Sequence, residues 1–188
     1  HRDLKPQNIM IGKSGQPKVM DFGLAKTIVE KTPDASLQET QAVLTKPGAA
    51  IGTLPYMSPE QLRGEGLDAR SDIFSFGSVL YEMDSHRPPF TASSAAETSS
   101  AILTVEPPPL ARFTNDAPAE LQRIVGRCLE KDAARRYQTM RDVALDLDNL
   151  RRAQLSGQTG GARVTTSPEA AGPSKPRVSR GVLVGAAL

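Results

Sequence analysis

The stretch from Ser71 to Met83, SDIFSFGSVLYEM, is apolar on nearly every face of a helix. A helix with no polar side has nothing to offer water, so it has to lie inside its domain with other elements around it. The segment therefore predicts a central buried helix, with a capping signal at Ser71-Asp72. A second helix is expected after Asn115-Asp116, with Pro118 tolerated in its first turn. There Leu121, Ile124, Val125, Cys128 and Leu129 fall on one side. A third should start near Thr139, because Met140, Val143, Leu147 and Leu150 follow at helical spacing.

The N-terminal part has a different texture. Asn8-Ile9-Met10-Ile11 and Lys18-Val19-Met20 are short apolar runs on either side of Gly12-Lys13-Ser14-Gly15, which predicts a hairpin. Residues 27–50 show no strong period and read as a loop. All eight aromatics lie between Phe22 and Tyr137, whereas residues 156–180 are mostly Gly, Pro, Ser, Thr and Ala. A segment so poor in apolar surface cannot offset its ordering entropy and is expected to be a disordered linker. The 188 residues suffice for one domain and a tail. The formal charge of +2, with acids and bases nearly balanced, gives no basic face for nucleic acid. A single cysteine, Cys128, rules out an internal disulfide; in its helical context it reads as a small buried apolar residue.

Three motifs carry chemistry. HRDLKPQN, residues 1–8, fits the H-R-D-L-x-x-x-N pattern at every fixed position. Asp21-Phe22-Gly23 follows across the short hairpin, and Ser58-Pro59-Glu60 closes a stretch of loop after it. Asp3 is a carboxylate in the place of a general base, and Asn8 and Asp21 offer hard oxygens of the kind Mg²⁺ prefers. Gly12-Lys13-Ser14 invites a phosphate-loop reading, but Gln7 stands at the first glycine position and Pro17 blocks a following helix.

In these motifs, and in GTLPYMSPEQLRG, DARSDIFSFGSVLYEM and EKDAARRYQ, the chain resembles the C-terminal lobe of protein kinases, most closely bacterial eukaryotic-like Ser/Thr kinases. The resemblance implies a mainly α (α+β) fold over residues 1–153, with a short β-hairpin and a long activation loop, followed by a disordered linker over 154–180. It implies ATP and Mg²⁺ as cofactors and the Ser or Thr hydroxyls of protein substrates as acceptors. Asp3 would take the acceptor proton, Lys5 would meet the transferred phosphate, and Asn8 and Asp21 would hold the metal. Met10 would floor the adenine pocket, and Thr53 would belong to the loop that receives the residue after the acceptor. Thr45, with Thr40 as second candidate, would be the activation-loop phosphosite, paired by Arg2 and Lys26. Self-association for autophosphorylation goes with that reading. His1 is expected to support the loop by packing rather than to react. Glu60 and Arg136 would form a buried ion pair, and Asp72 would hold the catalytic-loop backbone.

Some positions depart from the family pattern. Ala133 stands where proline is usual, and Asp84-Ser85-His86 replaces a Thr-Gly type of turn. The larger departure is that kinases place a Gly-rich loop, a strand lysine and its glutamate partner before the His-Arg-Asp motif, and no segment of these 188 residues supplies them. The expectation is a chain cut at His1 that has little or no activity alone. Lys175, Arg177 and Arg180 precede GVLVGAAL, so residues 181–188 are expected to begin a membrane helix. The parent would then sit at the cytoplasmic face of the cell membrane, or in the cytoplasm if the apolar run does not continue. The rival readings are a pseudokinase that only binds partners and a non-functional gene fragment.

Overall fold

Five α-helices and one antiparallel hairpin make up the computed structural model over its described residues, 1–21 and 52–159. Strands β1 (Ile9–Ile11) and β2 (Pro17–Val19) pair in the register Ile9↔Val19, Met10↔Lys18 and Ile11↔Pro17. The turn between them contains Gly15 at φ 77°, a conformation that costs glycine little. The helices are α1 (Pro59–Arg63), α2 (Ala69–Ser85), α3 (Ala95–Thr104), α4 (Ala119–Cys128) and α5 (Met140–Thr159). The expected loop over 27–50 lies outside the described residues.

Helix α2 is the centre of the packing. Ile73, Phe74, Val79 and Tyr81 are buried, and so are Ser71, Ser75 and Ser78. These serines do not leave a polar group stranded, because each hydroxyl donates: Ser71 to Glu60 Oε1, Ser75 to the Tyr56 carbonyl, Ser78 to the Phe74 carbonyl. Two details differ from the sequence reading. The N-cap is Asp68, whose carboxylate accepts the Arg70 N–H at 2.8 Å. An aspartate in extended backbone caps as well as a serine does, so the helix begins one turn earlier than Ser71-Asp72. The helix is also not enclosed on every side: Met83, near its end, is 69% exposed.

Helix α4 crosses α2 at Gly77. A Cβ on Gly77 would stand 2.5 Å from the Cβ of Cys128, so only glycine permits this approach. Pro118 occupies the N-cap of α4, one position before the first turn. Ile124, Val125, Cys128 and Leu129 are buried along one face, with Leu121 packed at its edge. One apolar cluster gathers Leu54, Phe74, Tyr81, Phe90, Ile102, Leu110 and Val125; a second joins Ile73, Ile124, Cys128, Tyr137 and Val143. Phe74 and Phe90 stack with ring centroids 5.9 Å apart. In α5, Val143 is fully buried with Leu147 and Leu150 beside it, whereas Met140 is 40% exposed. The helix runs on to Thr159, into the stretch read as linker from its composition. Among the described residues no helix is long and apolar enough to cross a membrane; residues 181–188 are outside them.

Candidate active site

The hairpin places the candidate residues at one end of the molecule. The Met20 N–H donates to the Asn8 carbonyl at 2.8 Å, which extends the β1–β2 ladder by one rung, up to the residue before Asp21. The His1 ring spans the same gap. Its Nε2 donates to the Met20 carbonyl at 2.8 Å, and its Nδ1 accepts the Asp3 N–H at 3.3 Å. These partners require the tautomer protonated at Nε2. His1 thus ties the backbone of Asp3 to the residue before Asp21, and both ring nitrogens are used in doing so.

Around Asp3 the polar groups are interlocked. Lys5 Nζ lies 3.0 Å from Asp3 Oδ2 and donates to Thr53 Oγ1 at 2.8 Å. The Asn8 amide donates to the Asp3 carbonyl at 2.8 Å and to Asp3 Oδ2 at 3.2 Å. Both amide hydrogens are consumed there, which turns the Asn8 carbonyl oxygen away as a hard donor. Asp3 Oδ1 is buried and has no hydrogen-bond partner among the described residues. An unpaired buried acceptor costs about 1–3 kcal/mol, so it marks either strain or a place for a donor.

The backbone here is strained as well. Arg2 and Asp21 have φ of 68° and 55°, left-handed values that non-glycine residues rarely adopt. Such conformations cost about 1–3 kcal/mol and persist only where neighbours impose them. Asp72 imposes the first: its Oδ2 accepts from the His1 nitrogen at 2.7 Å and its Oδ1 from the Arg2 N–H at 2.8 Å. Met10 is 55% exposed on the hairpin, next to exposed Ile11 and Met20. The Arg2 side chain is exposed too. Lys26, Thr40 and Thr45 lie outside the described residues, and so do Phe22 and Gly23.

The floor of the site is bound to a second polar centre. Arg136 is fully buried and grips Glu60 with two bonds, 2.7 Å to Oε1 and 2.8 Å to Oε2. Its remaining donors reach the carbonyls of Glu130, Arg70 and Lys131. Burial works to raise the Glu60 carboxyl, but hydrogen bonds from Arg136 and Ser71 outweigh it and hold the group at about 2. Cys128, buried among apolar neighbours, is pushed up to about 12, so its thiol stays inert at neutral pH.

Two residues escaped the sequence reading. Lys131 is driven down to about 8 by burial and by the Arg136 charge; its ammonium sits 3.8 Å from the Phe90 ring centroid and donates to the Ile102 carbonyl. Gln61 donates to the Arg2 carbonyl at 2.9 Å. The S-x-x-Q spacing of Ser58 and Gln61 signals a helix cap in the sequence, but nothing in it signals the bond to Arg2.

A metal fits this donor set. No group of three or more His, Cys, Asp or Glu able to hold a metal occurs among the described residues. Mg²⁺ does not need one, since it is commonly held by one or two protein oxygens together with phosphates and waters. Asn8 and Asp21, the pair that the family resemblance assigns, would supply that number.

The site thus lies at a two-strand edge on a helical base, with Asp3 beside Lys5. The model of the protein kinase domain matches residues 1–145, and the chain belongs to that family. It is 38% identical over 172 residues to a probable serine/threonine-protein kinase of Streptomyces coelicolor, covering 92% of this chain and 24% of the relative. To serine/threonine-protein kinase PknB of Mycolicibacterium smegmatis it is 41% identical over 154 residues, covering 82% of this chain and 23% of the relative. A probable serine/threonine-protein kinase of Corynebacterium efficiens matches at 39% over 160 residues, again 83% of this chain and 23% of the relative. The chain spans about a quarter of the length of these curated relatives.

Proposed function

We propose that the protein carrying this chain transfers the γ-phosphoryl group of ATP to Ser or Thr hydroxyls of protein substrates, its own loop at Thr45 among them. The observation that carries this reading is the buried Oδ1 of Asp3, without a hydrogen-bond partner among the described residues, beside the Lys5–Thr53 bridge. An acceptor hydroxyl arriving there would donate to Oδ1 and pass its proton to Asp3 as the oxygen attacks. Lys5 then stands within one side chain of both the base and Thr53, where its ammonium can offset charge on the phosphoryl oxygens. Asn8 and Asp21 would hold Mg²⁺, which when bound neutralises phosphate charge. Phosphoryl transfer asks for little covalent chemistry from the protein, so positioning and electrostatics are the main contributions of these residues.

The sequences of the relatives, named as serine/threonine kinases, support the acceptor class. The Lys5–Thr53 hydrogen bond of 2.8 Å supports the same site, since it joins two residues that the family resemblance assigns to it. The test is Asp3→Asn in the gene product carrying this chain, assayed with radiolabelled ATP and casein. Turnover should fall about 10²–10⁴-fold, the range for loss of a general base. Wild-type turnover that Asp3→Asn leaves intact would end the reading. The 188-residue chain alone should turn over little, because it contains no Gly-rich loop and no strand lysine with its glutamate.

A further inference from the structure

We propose that Gln61 is a positioning residue for Asp3, acting through the backbone of Arg2; this rests on the kinase reading above and adds a residue to it. Arg2 immediately precedes the base and holds a left-handed φ of 68°. A non-glycine residue stays in that region where the surrounding structure imposes it. Asp72 restrains the first peptide group of Arg2, accepting the Arg2 N–H at 2.8 Å. Gln61 restrains the second: its Nε2 donates to the Arg2 carbonyl, which is the acceptor half of the peptide that leads into Asp3. Without that bond the Arg2–Asp3 peptide keeps only the longer Asp3 N–H bond to His1 Nδ1, 3.3 Å, and the carboxylate is held less firmly.

Gln61 is itself held. It is the third residue of α1, where its Oε1 accepts the Ser58 N–H at 2.9 Å and its own N–H donates to Ser58 Oγ at 3.3 Å, a reciprocal cap. The amide is therefore used at both ends, the oxygen for the helix and the nitrogen for the catalytic loop. Helix α1 also carries Glu60, so the carboxylate gripped by Arg136 and the amide that holds Arg2 are adjacent residues on one anchored turn. The geometry makes Gln61 a rigid strut from the buried base to the peptide before Asp3.

The two ends of the amide can be separated chemically. Gln61→Glu keeps an oxygen for the Ser58 N–H and a favourable charge at a helix N-terminus, but it removes the donor and sets a carboxylate against the Arg2 carbonyl. Gln61→Ala removes both bonds. Both variants are made in the gene product carrying this chain and assayed with radiolabelled ATP and casein. Gln61→Glu should lower kcat about tenfold, with KM for ATP and Tm near wild type. Gln61→Ala should lower kcat equally and Tm as well. A Gln61→Glu enzyme with wild-type kcat, or one whose kcat falls only in step with Tm, would overturn the proposal. Asp3→Asn is run alongside. If wild type is active and Asp3→Asn is not, an unaffected Gln61→Glu removes the role of Gln61 alone; if Asp3→Asn is as active as wild type, it is the kinase reading that fails.

Discussion

Arg136 is fully buried and Asp3 partly so, with its Oδ1 out of reach of water, and their polar atoms are treated in opposite ways. Every direction of the Arg136 guanidinium is used: two bonds to Glu60 and one each to three backbone carbonyls, with the Phe74 ring 5.0 Å away. Asp3 is held by Lys5 and Asn8 through one oxygen, while the other has no partner among the described residues. The helical base is satisfied, packed on two apolar clusters and built for stability. The hairpin end is thinly packed, with exposed Met10, Ile11 and Met20 and two residues in left-handed backbone. Such strain beside an acceptor unmet among the described residues is in keeping with the site proposed there.

The contrast breaks most severely at Arg136. Arg136→Met leaves the Glu60 carboxylate buried and unpaired, and should cost about 3–5 kcal/mol, read as a lowered urea midpoint. A loss well under 1 kcal/mol would mean that the base is not held by this pair. A smaller effect comes from acid. Glu60 titrates at about 2 in the folded protein against an ordinary 4.5, so its folded pKa is depressed. Its contribution is in full above the unfolded value and is lost as pH falls through the window from about 4.5 to about 2. Acid unfolding curves should show that loss in wild type and a flatter one in Arg136→Met, where the carboxylate has lost its cation and keeps only the Ser71 hydroxyl. The smallest effect has the opposite sign. His86 ends α2 with φ of 58°, and it is exposed. Unlike Arg2 it has no site to serve, so His86→Gly should raise stability by about 1 kcal/mol or less, seen as a higher Tm. A fall in Tm would show that the left-handed histidine is held by contacts worth more than its strain.

Much of the base was legible in the sequence because burial leaves a pattern. The apolar run from Ser71 to Met83 marked the central helix, and the spacing of Ile124, Val125 and Cys128 marked the face of α4. Helix ends were less legible. Asp68 and Ser71 are both good caps, and only the path of the chain before Ala69 decides between them. In the site, the motifs and the family resemblance they carry named Asp3, Lys5, Asn8, Asp21 and Asp72. They could not name Gln61 or Lys131, whose roles come from partners far away in sequence: Arg2 for one, Phe90 and the Ile102 carbonyl for the other.

The sequence by itself determined the class of protein and its local elements, because hydrophobic period, turn residues and short motifs are written along the chain. It also carried the likeness of Glu60 and Arg136 to an ion pair, though they stand 76 residues apart. Tertiary structure alone decided how tightly that pair is enclosed, that Gly77 must yield to Cys128, and that Arg2 is clamped on both sides, its N–H by α2 and its carbonyl by α1. These are contacts between distant segments. Their strength depends on distances of a few tenths of an ångström and on which groups water can reach, and only the folded chain sets either of those.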